Sequence, residues 1–223
     1  MQSENCPNCG AEVIFRSPAL PARICDYCHA TVKRIAEGVE KAGEVAVLPF
    51  DVSPVQIGTT GEYGGKHFDV IGRIRLGYDQ GAWNDWLCFF TDNSYGWLSE
   101  SDGQFQMVIE RPIDGESSEL IQRLAQGGDV EIGERTTIDG SDFVVAEARW
   151  AKCIGAEGEL PFAPETDWDV FNVDLRDAHG FAANFEREEG EPPAFYVGRY
   201  VTLAELKAKN LRAIHGWKMP VYG

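Results

Sequence analysis

From Val45 onward, apolar and polar residues alternate with the two-residue period of β-strands. In FDVIGRIRL, the residues Phe68, Val70, Gly72, Ile74 and Leu76 share one face while Arg73 and Arg75 take the other, which predicts a half-buried strand. WLCFF follows, apolar on both faces, and predicts a central strand. The turn Asp92-Asn93-Ser94 leads into YGWLS, and Ser101-Asp102-Gly103 leads into QFQMVIE, whose Phe105, Met107 and Ile109 are expected to face inward. Together these segments predict an antiparallel meander.

SSELIQRLAQ breaks the period. It predicts a short helix that starts after Ser117, puts Leu120, Ile121 and Leu124 on one face and stops at Gly127-Gly128. Strand patterning then returns through VEIGERTTIDGSDFVVAEARW, AEGELPF, WDVFNVDL and GFAANFE. Thr202-Leu-Ala-Glu205 has the form of a capping box and predicts a C-terminal helix before an irregular tail, HGWKMPVYG.

The second half echoes the first. Gly64-Gly65 ahead of Phe68-x-Val70 resembles Asp139-Gly140 ahead of Phe143-x-Val145, and LCFFTDNSYGW resembles VFNVDLRDAHGF. Two meanders can share such spacing by chance. Read as a duplication, it implies two similar β lobes, about 44–114 and 128–201, around a pseudo-twofold axis with a groove between them.

Residues 1–43 have a different character. Cys6, Cys9, Cys25 and Cys28 form Cys-x2-Cys-x15-Cys-x2-Cys. Each Cys-x-x-Cys turn sets two sulfurs on one side of a tight loop, and two such loops supply the four thiolates that tetrahedral zinc prefers. Four protein ligands leave no position for water or substrate, so the expected zinc is structural. His29 then needs no ligand role and reads as a surface residue; Tyr27 and Ile14 are expected to give the module its apolar cover. The run 31–43 reads as a linker, so the chain divides into a zinc ribbon with its linker (1–43) and a β-rich domain with a C-terminal helix (44–223). If these are separate cooperative units, a chelator should unfold the ribbon and spare the body. Cys88 and Cys153, in apolar strand-like runs, read as buried free thiols.

A formal net charge of −16 disfavours nucleic acid as a general partner, because such a surface repels phosphate. Arg16, Arg23, Lys33 and Arg34 near the cysteines would need to converge on one face to overcome that. No stretch approaches the roughly 20 apolar residues of a membrane span, and the polar, cysteine-rich start lacks a signal-like apolar region, so a cytoplasmic location is expected.

Catalytic signatures such as G-x-S-x-G, H-E-x-x-H and the phosphate-cradling loop are absent. Asp85, Asp92, Glu100 and Asp102 could pair at the corners of the meander, but turn and surface roles are the ordinary use of acids there. Trp86 reads as core. Trp83 and Trp97, near loops and beside Asp85, are either core or a partner-binding surface.

The segment VIGRIRLGYDQGAWNDWLCFFTDNSYGWLSESDGQF resembles the bacterial domain of unknown function numbered 4178, through Val70 to Arg73, Trp83 to Leu87 and Trp97 to Gly103. AEGELPF and FYVGRYV resemble further landmarks, and the resemblance runs over about 58–201. It implies an N-terminal zinc ribbon fused to the domain and a protein partner in a membrane-stress assembly, and it carries no catalytic residues. The expected whole is a mainly β, non-enzymatic, zinc-binding adaptor. The rival is an enzyme working in the groove between the lobes through carboxylates such as Asp85 or Asp174, recognisable by a buried, pKa-perturbed carboxylate facing a sizeable pocket.

Overall fold

The computed structural model describes residues 1–46, 48, 53–165 and 168–214. The first strands are short, as the cysteine turns dictate: β1 (Gln2–Asn5) and β2 (Glu12–Phe15) form one hairpin. Strands β3 (Ala22–Ile24), β4 (Ala30–Ile35) and β5 (Gly38–Glu44) form an antiparallel sheet. Most of the run expected as a linker is therefore strand, folded back as the β4–β5 hairpin.

The body consists of two five-strand meanders. The first is β6 (Thr60–Tyr63), β7 (Lys66–Tyr78), β8 (Gly81–Phe90), β9 (Tyr95–Ser101) and β10 (Gln104–Arg111). After helix α1 (Glu119–Ala125), the second is β11 (Arg135–Ile138), β12 (Ser141–Leu160), β13 (Asp169–Arg176), β14 (Phe181–Arg187) and β15 (Ala194–Val201). Both open on a hairpin with a left-handed turn, Gly64-Gly65 at φ 58° and 75° and Asp139-Gly140 at φ 51° and 76°. That conformation matches strand twist and suits Gly and Asp-Gly. Both also carry a β-bulge two residues after the matching aromatic, between Val70 and Gly72 and between Val145 and Glu147.

The meanders do not form two lobes with a groove. β7 pairs with β12 and β10 pairs with β15, so β7–β8–β9–β10–β15–β14–β13–β12 closes into one eight-stranded antiparallel barrel. What would have been the groove is its lumen. Closure removes the sheet edges that two open lobes would expose.

The bulges set the facing. Before the bulge, Phe68 and Val70 point outward; after it, Ile74 and Leu76 point into the barrel, so the single face expected for these residues is split between two clusters. Arg73 stays outside, its guanidinium 4.8 Å from the Trp86 ring centre and 2.9 Å from Glu157. WLCFF is central as expected, with Leu87 lining the inside and Trp86, Cys88 and Phe90 the outside. Phe105 and Met107 are buried, but beneath an outer cover rather than in the lumen.

Each half has such a cover. Leu120, Ile121 and Leu124 of α1 pack on Phe143, Val145, Val173 and Leu175, with Ser118 capping the helix by accepting from the Ile121 amide at 3.2 Å. The first half is covered by Val55, Leu203 and Leu206, and the chain after β15 is held by exchanged backbone bonds between Thr60 and Lys209. The C-terminal helix expected here is a single turn. Both capping-box bonds form, between Thr202 and Glu205, but Lys207 at φ 50° ends the turn at once. The tail HGWKMPVYG lies outside the described residues.

The seams are tight. A Cβ on Gly72 of β7 would sit 1.8 Å from the Glu159 carbonyl oxygen of β12, and one on Gly198 of β15 would sit 1.7 Å from the Met107 carbonyl oxygen of β10. Backbone cannot yield as a side-chain end can. Gly198→Ala should therefore destabilise the protein by about 2 kcal/mol or more, whereas Gly77→Ala, which meets only the flexible Ile154 side chain at 3.0 Å, should cost clearly less. Equal urea midpoints for the two variants would contradict this account of the seam.

Candidate metal centre and barrel cavity

The two cysteine turns are built alike. The Cys6 amide donates to Ala11 and the Gly10 amide to Cys6, while the Cys25 amide donates to Ala30 and the His29 amide to Cys25, all at 2.8–3.0 Å. Gly10 (φ 80°) and His29 (φ 60°) hold the same left-handed position, so His29 is a turn residue. The four cysteines bring one ligand atom each to within 4.8 Å of one another. Sγ–Sγ distances are 3.6 Å for Cys6 with Cys28 and 3.8 Å for Cys9 with Cys25. A tetrahedron of zinc–sulfur bonds near 2.3 Å requires sulfurs about 3.8 Å apart, so the cluster fits a tetrahedral thiolate metal ion. Hydrogen bonding from Asn8, then from the Ala30 backbone, draws the Cys28 thiol down to about 6. Burial raises Cys25, and Cys9 is pushed up to about 12 against its Ala11 backbone bond by burial and the neighbouring thiols, so metal binding would have to displace protons from the cluster.

Apolar cover comes from Val13, Phe15, Ala30 and Val32, not from Ile14 and Tyr27, which are exposed, Tyr27 by 75%. Two of the four basic residues near the cysteines, Arg23 and Arg34, bond within the ribbon, while Arg16 and Lys33 are exposed. Arg23 donates to the Ile14 carbonyl and to Asp26, and Arg34 donates to the Pro18 and Ser17 carbonyls while lying over the Phe15 ring. These side chains are committed to holding the ribbon together.

The ribbon is joined to the barrel. Arg23 and Ala22 of β3 pair with Glu159 and Leu160 of β12, and Leu20, Ile24 and Val45 pack in one cluster with Ile71, Leu87 and Leu160. Glu159 is fully buried, and its Oε1 accepts from the Arg16 and Ser17 amides at 2.7 and 2.9 Å. Burial raises its pKa despite those bonds. Chelation should thus not leave the body untouched. Stripping the metal should unfold the ribbon and lower the barrel's melting temperature by several degrees, read by near-ultraviolet circular dichroism; an unmoved barrel transition would mean the joint carries no stability.

Inside the barrel is a cavity of about 1220 Å³. Trp83 and Trp97, each 8% exposed, and Asp85 all line it, so the outward docking surface considered for these three residues does not form. Residue alternation on β8 explains this: Trp83, Asp85 and Leu87 share the inward face, Trp86 and Cys88 the outward one. Asp174 faces the cavity from β13 and Glu186 from β14. The halves differ at matching positions of the two meanders. Asp85 lies opposite Ser99 where the second half has Asn172 opposite Glu186, and Leu87 lies opposite Trp97 where the second half has Asp174 opposite Asn184.

The carboxylates are held by neutral donors. Trp83 Nε1 donates to Asp85 at 3.2 Å, Asn184 Nδ2 to Asp174 at 2.7 Å, and Asn172 Nδ2 reaches Glu186 at 3.4 Å. Burial pushes Asp85 up to about 6 against the Trp83 and Ser99 bonds, and raises Asp174. Burial, then the charges of Asp85 and Asp174, pushes Glu186 up to about 8. Here the low dielectric and like charge both favour the protonated acid.

Of the other acids weighed from sequence, Asp92 accepts from Lys66 and Ser94 and Asp102 sits at φ 51° in a hairpin, so both serve turns. Glu100 accepts from Ser53 and Asn84 on the outer face. Cys88 and Cys153 are buried thiols, their pKa values raised by burial. Glu186, Asn172, Asn184 and Tyr196 escaped the sequence reading. Their one signal was polar residues at inward positions of otherwise apolar strands.

Glu186 holds its proton up to about 8 when folded and only to about 4.5 when unfolded, so it contributes stability below pH 4.5 that is lost as pH rises toward 8. Glu186→Gln should match the parent in melting temperature near pH 5 and exceed it near pH 8.5. Identical melting at the higher pH would place Glu186 in ordinary solvent.

Comparison with characterised proteins and with solved structures finds no match. The family model described as Domain of unknown function (DUF4178) matches residues 56–203, which span the whole barrel and leave the ribbon outside. On that match the chain belongs to the DUF4178 family.

Proposed function

We propose that this protein is a non-enzymatic adaptor whose barrel binds a small molecule and whose zinc-bearing ribbon, fastened to the same strand, carries the docking side. The carrying observation is the lumen. A cavity of about 1220 Å³ walled by Trp83, Trp97, Tyr196 and Tyr200 is large enough for a ligand rather than a packing void. Ile14, Tyr27 and Ile35, exposed on the ribbon, supply apolar contact for a protein partner. The resemblance points to a partner in a membrane-stress assembly. No helix among the described residues is long and apolar enough to cross a membrane.

A second reading, catalysis in the same lumen, is favoured by Asp85 near 6 and Glu186 near 8, two carboxyls whose proton affinities straddle neutrality. One experiment bears on both. Native mass spectrometry of the full chain incubated with fractionated small-molecule extract should show one ligand per protein, lost when Ser99→Phe fills the lumen. Recovery of that ligand unchanged supports the binding role, and its conversion supports the enzyme. Absence of any mass increment, with no thermal stabilisation by any fraction, would sink the lumen reading.

A further inference from the structure

We propose that the lumen takes an organic cation, a protonated amine or guanidine whose charged nitrogens lie among Asp85, Asp174 and Glu186 and whose carbon skeleton lies against the aromatic walls. This rests on the lumen being a ligand site. Three facts about the cavity lead there.

The first is charge without a partner. None of the three carboxylates makes an ion pair among the described residues; their hydrogen bonds come from Trp, Ser and Asn. Of the basic side chains on the cavity wall, Arg149 acts on Asp174 only through its charge, which lowers that acid's proton affinity without overcoming its burial; its ion pair is with another acid. Arg149 pairs with Glu147 at 2.6 Å and lies over the Tyr78 ring at 4.2 Å, and Lys152 is 3.4 Å from Asp169. Arg176, exposed at the cavity wall, reaches the Tyr200 hydroxyl rather than a carboxylate. Carboxylates grouped in low dielectric raise one another's free energy, and a cation placed between them reverses that repulsion. Burial is the first cause of their upward-shifted proton affinities, and like charge adds to it at Asp85 and Glu186.

The second is spacing. Among the described residues, the only group of acids, histidines or cysteines close enough to hold a metal ion is the four-cysteine cluster. The lumen carboxylates stand too far apart to converge on one small ion. That spacing suits an extended ligand with its nitrogens reaching different strands.

The third is the wall. Trp83, Trp97 and Tyr196 face the same space as the acids, and aromatic faces attract ammonium and guanidinium groups while covering aliphatic carbon. Inorganic cations gain little from such a wall, and anions are repelled by it and by the acids alike.

The test is calorimetric titration of the full-length, metal-loaded protein at fixed ionic strength. The probes are α,ω-diamines of three to six carbons, agmatine and tetramethylammonium, with 1,5-pentanediol and glutarate as neutral and anionic counterparts of the five-carbon diamine. The expected result is saturable one-to-one binding by at least one cation, neither counterpart binding. Affinity should fall about tenfold or more in the Asp174→Asn/Glu186→Gln variant but by less than about twofold in Asp114→Asn/Glu131→Gln, which makes the same two acid-to-amide replacements at exposed positions. Equal loss in both variants would reduce the effect to the protein's overall acidity and overturn the proposal. Saturable binding of the diol or glutarate, with no cation bound, would overturn the cation while leaving the lumen a ligand site. Failure of every probe together with no ligand in native mass spectrometry would remove the site itself.

Discussion

The pairing of β12 with two neighbours at once is the constraint on which the molecule depends. Twenty residues long, β12 bonds to β11 and β13 along its first part, to β7 along its second and to β3 near its end. A strand left unpaired there would expose a row of backbone donors and acceptors, so closure of the barrel and seating of the ribbon follow from one requirement. The requirement reaches the sequence as glycine. Gly72 and Gly198, one at each seam between the meanders, have no Cβ because the neighbouring carbonyl oxygen occupies its place.

With the seams closed, α1 and the segments around Val55 and Leu203 cover the outer faces of the barrel, while Leu87, Trp97 and Val108 pack within it and leave a cavity open beside them. Asp85, Asp174 and Glu186 can be placed where they cost stability, a cost proteins accept mainly at functional sites. The two halves differ here: one presents Leu87 and Trp97 beside Asp85, the other Asp174 and Asn184.

The ribbon is the complementary case. Its own apolar cluster is small, built on Val13, Phe15, Ala30 and Val32, and it is joined by a four-cysteine cluster, a shared strand pairing and the buried Glu159.

Local chemistry was legible in the sequence wherever few residues decide it. Cys-x2-Cys spacing specified the four-cysteine cluster because each of two short-range turns brings two sulfurs together, and Gly64-Gly65 and Asp139-Gly140 marked hairpins because left-handed φ values demand such residues. The β class, the helix over Leu120 to Leu124 and the echo of one half in the other were readable from periodicity. Facing was not. A bulge at Val70–Gly72 flips every later side chain of β7, and nothing in a two-residue period announces it. Closure was equally hidden, since β7 with β12 and β10 with β15 are pairings between residues far apart in the chain. Trp83, Asp85 and Trp97 stand at positions that alternation allows on either side of a sheet. Only the meeting of the two meanders, through backbone bonds that no local pattern encodes, made that side an interior and turned scattered acids into a charged cavity.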